Sequence, residues 1–361
     1  MNEDFRVAVL AGDGIGTEVT PAALAVADAA LARTGGGRIV RDEVVAGAAL
    51  YRETGDAFPD GARRACEAAD AIYLGAMGLP SVRYPDGTEI APQLDLRFMF
   101  ELYAGVRPTR AIPGVRLPLA DPRAKDIDFV IVRESTEGLF SSRGKGVVEN
   151  DAVARDTMVI TRRVSELVFD FSFREAARRR GTSRKGRVTL VDKANVFKSF
   201  AFFRKVFDEV ARRHPGLAAD HVYIDASALM LVTRPWEFDV IVTENMFGDI
   251  LSDLAAGLVG GMGYAPSADI GETRAVFQPA HGSAPDIAGT GKANPVAAIL
   301  SAAMMLDWLG RRAGHEPTVE AGRLVVEAVD ASFVDGNLVT CELGGTAGTR
   351  EVTDAVLGRL R

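Results

Sequence analysis

Val240-Ile-Val-Thr243, followed by Glu244-Asn-Met-Phe-Gly-Asp249-Ile-Leu-Ser-Asp253, reads as a buried strand that hands over to a helix. Asp249 and Asp253 stand at i and i+4, so on a helix they share one face. The same grammar recurs along the chain. Phe5–Leu10, Ala71–Gly75, Asp128–Val132, Val188–Val191 and Val222–Asp225 are short apolar runs that end in turns or in polar or charged residues. A helix is expected from about Glu18 to Arg33, stopped by Gly35-Gly36-Gly37. Strands alternating with helices predict an α/β fold with a largely parallel sheet. In such sheets ligand groups collect at the carboxyl ends of the strands. Arg133, Asp192-Lys193, Asp225 and Thr243-Glu244 all fall there.

The chain has 361 residues, 47% of them hydrophobic, enough for a sizeable core in two lobes or one large domain. A net charge of −7 argues against a general affinity for nucleic acid. The basic stretch from Arg174 through Arg178, Arg179, Arg180, Arg184 and Lys185 to Arg187 reads as a helix C-terminus and a solvated turn. Two cysteines, Cys66 and Cys341, lack metal-like spacing and fit a reducing compartment. The acidic N-terminus, which soon turns strand-like, does not read as a signal peptide. Residues 293–310 are apolar but broken by Asn294, Pro295, Ser301 and Asp307, so they predict a buried or interface helix, not a membrane span. A cytoplasmic protein is the default expectation.

Three sets of residues carry chemistry. Asp225, Asp249 and Asp253 offer hard oxygen ligands suited to Mg²⁺ or Mn²⁺; the plainer alternative is that Asp249 caps its helix and Asp253 is a surface residue. Arg97, Arg107 and Arg133 could grip carboxylates bidentately, or each be an ordinary salt-bridge residue. Lys193, after an apolar strand, could serve as a base near a metal, or simply pair with Asp192 or Glu244. His281-Gly-Ser-Ala-Pro-Asp286-Ile-Ala-Gly289 has the composition of a loop that wraps a nucleotide. Gly12-Asp-Gly14-Ile-Gly16 lacks the spacing of a Rossmann fingerprint and reads as a tight strand-to-helix turn near a ligand. The other histidines, His214, His221 and His315, form no metal set.

In combination these segments resemble the β-decarboxylating dehydrogenases, the family of isocitrate, 3-isopropylmalate, homoisocitrate and tartrate or D-malate dehydrogenases. The likeness runs from Ala11-Gly-Asp-Gly-Ile-Gly16 to Gly344-Gly-Thr-Ala-Gly-Thr-Arg350. It implies a two-lobed isopropylmalate/isocitrate dehydrogenase-like fold, not a Rossmann fold. One lobe would hold residues 1–102 and 260–361 with the nucleotide loop. The other, 103–259, would carry the dimer interface, the metal ligands and the lysine. It further implies a homodimer with shared active sites, in which Lys193 and Asp225 serve the neighbouring site while Asp249 and Asp253 serve their own. By the same resemblance Arg97, Arg107 and Arg133 clamp a dicarboxylate, Asp225, Asp249 and Asp253 hold the metal, and Lys193 accepts the hydroxyl proton through water. His281, Gly282, Ser283, Ala284, Asp286, Ile287 and Asn294 bind the dinucleotide. A carboxylate at Asp286 suits the ribose hydroxyls of NAD and repels a 2′-phosphate; NADP-using relatives carry Lys and Tyr hereabouts.

Two departures stand out. The family assigns protonation of the enol to a tyrosine seven residues after the arginine matched by Arg133, and here that position is Phe140. Either another donor replaces it (Ser141, Ser142, Tyr103 or water), or the reaction does not depend on that step, or the chain is a poorly active regulatory member. The segment before Arg97 offers Ile90, Gln93 and Leu94 to the substrate branch, a mixture that leaves open an isopropylmalate-like substrate or a more polar malate.

Overall fold

The computed structural model describes residues 4–181 and 186–360; Arg184 and Lys185 of the basic stretch lie outside the described residues. Ten strands form one continuous sheet. From one edge to the other the strands are Arg38–Glu43, Asp4–Gly12, Ala71–Ala76, Ala275–Pro279, Pro266–Ile270, Ala104–Arg110, Asp128–Glu134, Val240–Thr243, Arg187–Asp192 and Ala218–Tyr223. The outer pairings are parallel. The centre is antiparallel, where Pro266–Ile270 pairs with both Ala275–Pro279 and Ala104–Arg110, and Ala104–Arg110 with Asp128–Glu134. Strands from the first hundred residues and the last hundred thus occupy one half of the sheet, and strands between residues 104 and 243 the other.

The parallel strands are apolar because both faces are covered. Ala71–Ala76 and Val240–Thr243 are buried along their whole length. Helix Val296–Ala313 buries most of its side chains against helices Gly16–Thr34 and Glu316–Phe333, which accounts for its apolar sequence. Among the described residues no helix is long and apolar enough to cross a membrane. On the other half, Phe169, Phe173, Phe203 and Phe207 interlock between helices Arg162–Arg180 and Lys198–Ala211. A separate two-stranded arm, Val147–Glu149 and Val153–Arg155, stands wholly exposed.

One boundary differs from the sequence reading. The run Val222–Asp225 is not a strand that ends in a carboxylate. The strand is Ala218–Tyr223, and Asp225 lies in the first turn of helix Ile224–Thr233, where a negative charge meets the positive end of the helix dipole.

Candidate active site

Register places the arginines. Arg133 and Asp269 are both cross-strand partners of Gly105, and Arg107 lies two residues further along the same strand, so all three share one face. Gly105 keeps that face open. A Cβ there would come within 2.6 Å of Ser135 Oγ and 3.1 Å of Asp269 Oδ1. Arg97 reaches the group from helix Pro92–Met99, its Nε donating to Asp269 Oδ2 at 3.1 Å. Gln278 Nε2 donates to the same oxygen at 2.9 Å.

Asp269 therefore anchors the arginine cluster, and the sequence reading missed it. Its burial opposes the charged form, but Arg97, Arg107 and Arg133 outweigh that and hold its carboxyl below the usual range. The signal was a lone carboxylate inside the run Pro266-Ser-Ala-Asp-Ile270, a position that burial tolerates only with cationic partners.

Helix Asn245–Leu258 closes the opposite wall. Its N-cap is Glu244, which accepts from the backbone N–H groups of Met246 and Phe247, so Asp249 is free of the capping role. Asn245 Oδ1 accepts from Arg133 Nε at 2.9 Å and from its Nη2 at 2.7 Å, and Asp249 pairs with Nη1. Burial and the nearby Arg97 bring the Arg133 guanidinium down to about 10, with Asp249 acting against them. Gly248 makes this approach possible, since a Cβ would lie 2.7 Å from Arg133 Cβ and Cγ. Gly248→Ala is expected to destabilise the fold by about 1–3 kcal/mol through overpacking, read as a lower urea midpoint with an unchanged m-value.

A cavity of about 330 Å³ opens between these walls, lined by Arg97, Arg107, Arg133, Asp249, Asp253, Phe140, Gln93 and Leu94. Among the described residues the Arg107 guanidinium has no hydrogen bond or ion pair, and its buried Nε has no partner. Burial lowers its proton affinity, and Asp269, Asp249 and Asp253 counteract. Burial and the adjacent Asp249 raise the Asp253 carboxyl above its usual range. Two crowded carboxylates on one cavity wall form a donor set suited to a hard cation.

Ile90 does not belong to this wall. It is fully buried in a separate cluster with Ala48, Ala57 and Val82, because its side chain points away from the cavity that its neighbours Glu89 and Ala91 line. Lys193 and Asp225 also stand apart from it. They pair with each other at 2.6 Å, the Lys193 ammonium pulling the Asp225 carboxyl below the usual range. The alternative partners of Lys193 are otherwise engaged, Asp192 by Arg204 and Glu244 by its helix. Among the described residues of one chain no three His, Cys, Asp or Glu side chains converge as a ligand set.

Phe140 faces the cavity with its ring 5.0 Å from the Arg133 guanidinium. The other proton-donor candidates do not line it. Ser141 Oγ donates to Gly138 O, Ser142 Oγ to Thr157 O, and Tyr103 packs edge-on against Phe171.

A second cavity of about 590 Å³ is lined by Ile15, His281, Ala284, Ile287, Asn294 and Glu342. His281 lines both cavities, and its buried Nε2 has no partner. Burial lowers its pKa, so the ring is neutral near pH 7. Gly14, with φ of 54°, packs against Ser283 O, where a Cβ would lie 2.0 Å away; the glycine turn thus buttresses the loop. Ser283 is buried with its Oγ on Gly78 O, Gly282 and Asp286 are exposed, and Asn294 is tied to Glu342 at 2.6 Å.

The fold together with the comparisons defines the class, that of the β-decarboxylating dehydrogenases, enzymes of oxidative decarboxylation. A family model described as isocitrate/isopropylmalate dehydrogenase matches residues 6–356, and the chain belongs to that family. It is 41% identical to a 3-isopropylmalate/3-methylmalate dehydrogenase of Methanocaldococcus jannaschii, covering 99% of each chain. It is 40% identical to a homoisocitrate dehydrogenase of the same organism, covering 99% and 98%. Among solved structures, isocitrate dehydrogenase from Methylococcus capsulatus superposes with a TM-score of 0.85 at 35% identity over 99% of both chains. A β-decarboxylating dehydrogenase from Thermococcus kodakarensis gives 0.80 at 36%, covering 99% and 96%.

Proposed function

We propose that this enzyme oxidises a (2R)-hydroxy dicarboxylate of the 3-substituted malate type, with NAD and Mg²⁺ or Mn²⁺, and with β-decarboxylation. The observation that carries the proposal is Arg107, a buried cation without a partner, set between two partnered arginines and facing two carboxylates. A buried charge left so is costly until an anion arrives. The crowded Asp249 and Asp253 fit a divalent cation, and the His281–Asn294 cavity, with the unpartnered His281 Nε2, fits a dinucleotide.

Asp249 and Asp253, with the partner-facing Asp225, would hold the cation, which would supply Lewis-acid charge stabilisation, and the dinucleotide would supply a hydride acceptor. The chain's own residues do the rest. Arg97, Arg107 and Arg133 orient the two malate carboxylates. Lys193 takes the hydroxyl proton through water. The walls hold C3 against Phe140, which has no proton to give. That last point favours a second reading, a tartrate- or D-malate-type oxidation with weak or no loss of CO₂.

Lys193 and Asp225 complete the partner's site in a homodimer on this proposal, and residues 1–102 with 260–361 and residues 103–259 form its two lobes. Exposed apolar side chains around that pair support a dimer. Phe197 is 54% exposed, Leu229 65% and Ile250 61%, the last two on helices that pack side by side.

The test is reduction of NAD with Mn²⁺ across 3-isopropylmalate, isocitrate, homoisocitrate, D-malate and the tartrates, with CO₂ followed in parallel. Silence across the panel sinks the proposal. NAD is expected to outperform NADP by about 100-fold or more in kcat/KM, because Asp286 repels a 2′-phosphate; Asp286→Lys narrows the gap.

A further inference from the structure

A fourth arginine enters the substrate cavity from a different direction. Arg143 follows the short turn Phe140–Ser142 and is fixed to it by its backbone N–H, which donates to Phe140 O at 3.2 Å. Its side chain lines the same cavity, with Glu89, Gln93, Leu94 and Phe140. Among the described residues it makes no ion pair, although its charge is felt by the Asp95 and Asp86 carboxylates. Its guanidinium makes one hydrogen bond, Nη2 to the backbone oxygen of Glu89 at 3.0 Å. The nearby Glu89 carboxylate faces Arg83 instead, at 3.5 Å. Beside it, Gln93 Oε1 is buried without a partner, which leaves the amide free to turn either end toward a ligand.

We infer that Arg143 is a specificity-determining residue, and that the substrate is a malate whose C3 branch ends in a carboxylate held by Arg143 and Gln93. This rests on the proposed function. The three arginines gathered on Asp269 suffice for the two malate carboxylates. Arg143 is surplus to that task and arises from the loop behind Phe140. The apolar Leu94 and Phe140 accept the stem of the branch, and the polar pair accepts its end. An apolar branch would leave the buried Gln93 Oε1 without a partner, a mismatch that a binding site penalises, and would make no use of the solvent-facing Arg143 charge.

The test compares wild type, Arg143→Met and Arg143→Lys with NAD and Mn²⁺. The substrates are D-malate, 3-isopropylmalate, and the carboxylate-branched isocitrate and homoisocitrate. For the wild type, kcat/KM with a carboxylate-branched acid is expected to exceed that with 3-isopropylmalate by about 10-fold or more. Arg143→Met lowers this ratio by about 10- to 100-fold, the loss of a charge-assisted hydrogen bond, and Lys restores part of it. A wild-type preference for the isopropyl branch overturns the inference. So does a fall by one common factor for every substrate, which marks a merely structural role. Failure of all four acids with wild type is a different result, since it overturns the proposed function itself.

Discussion

Lys193→Met is expected to lower kcat by about 10²–10⁴-fold, the loss of the proposed general base, with little change in thermal stability. Among the described residues the ammonium pairs with Asp225 alone, whose side chain is 70% exposed, so its removal leaves no buried charge behind. The more telling form of this experiment mixes two inactive proteins. In the proposed homodimer, Lys193→Met and Asp253→Asn should each disable every site of dimers made of that variant alone. In a mixed dimer, if Lys193 works in the partner's site, one site carries both defects and the other carries none. Co-refolding the two should therefore return about a quarter of wild-type activity, half the dimers being mixed and each having one good site. No recovery, with mixed dimers shown to form, would place Lys193 in its own chain's site.

Phe140→Tyr carries the second large effect. The ring lies on the cavity wall, 5.0 Å from the Arg133 guanidinium. A phenol at this position adds a proton donor beside a fixed positive charge, which eases its ionisation. General acid catalysis is worth about 10²–10⁴-fold. The variant should raise the ratio of CO₂ released to NADH formed, and the rate of C3 protonation, far more than the rate of oxidation. Stopped-flow NADH formation alongside CO₂ trapping separates the two. A wild-type ratio already at one, unchanged in the variant, would mean that a water or another group delivers the proton.

The sequence disclosed the buried parallel strands well, but the sheet's centre and its two edges poorly: Arg38–Glu43 went unread and Ala218–Tyr223 was displaced to Val222–Asp225. Ala71–Ala76 and Val240–Thr243, and the stretches 7–10, 129–132 and 188–191, are buried on both faces, so they read as largely apolar runs. Ala104–Arg110 did not, because one of its two faces is given to Gly105 and Arg107 on the cavity side and it contains Pro108. Pro266–Ile270 was hidden for the same reason, with Asp269 at its heart. The strands that build the arginine cluster are thus the ones whose function disguises them. Within the site, Asp249 and Asp253 share one helix face as their i, i+4 spacing suggested, and they line one cavity with Arg107 and Arg133, which only the resemblance had brought to them. Ile90 was misjudged because neighbours in a loop need not share a face. Arg143 escaped notice because nothing in a lone loop arginine announces the cavity it enters.

The central strands also dictate an order of assembly. Ala275–Pro279 and Pro266–Ile270 lie between Ala71–Ala76 and Ala104–Arg110, so the strands made first on either side do not pair with each other. On the ribosome, the chain through Val240–Thr243 can complete only two separate pieces of sheet, each with an open edge. The hairpin that joins them is synthesised last and must wedge into the gap. Until it does, those edges are available to any passing strand, which makes the nascent chain a natural client for holding factors. A truncation before about residue 280 should aggregate rather than leave a smaller folded protein.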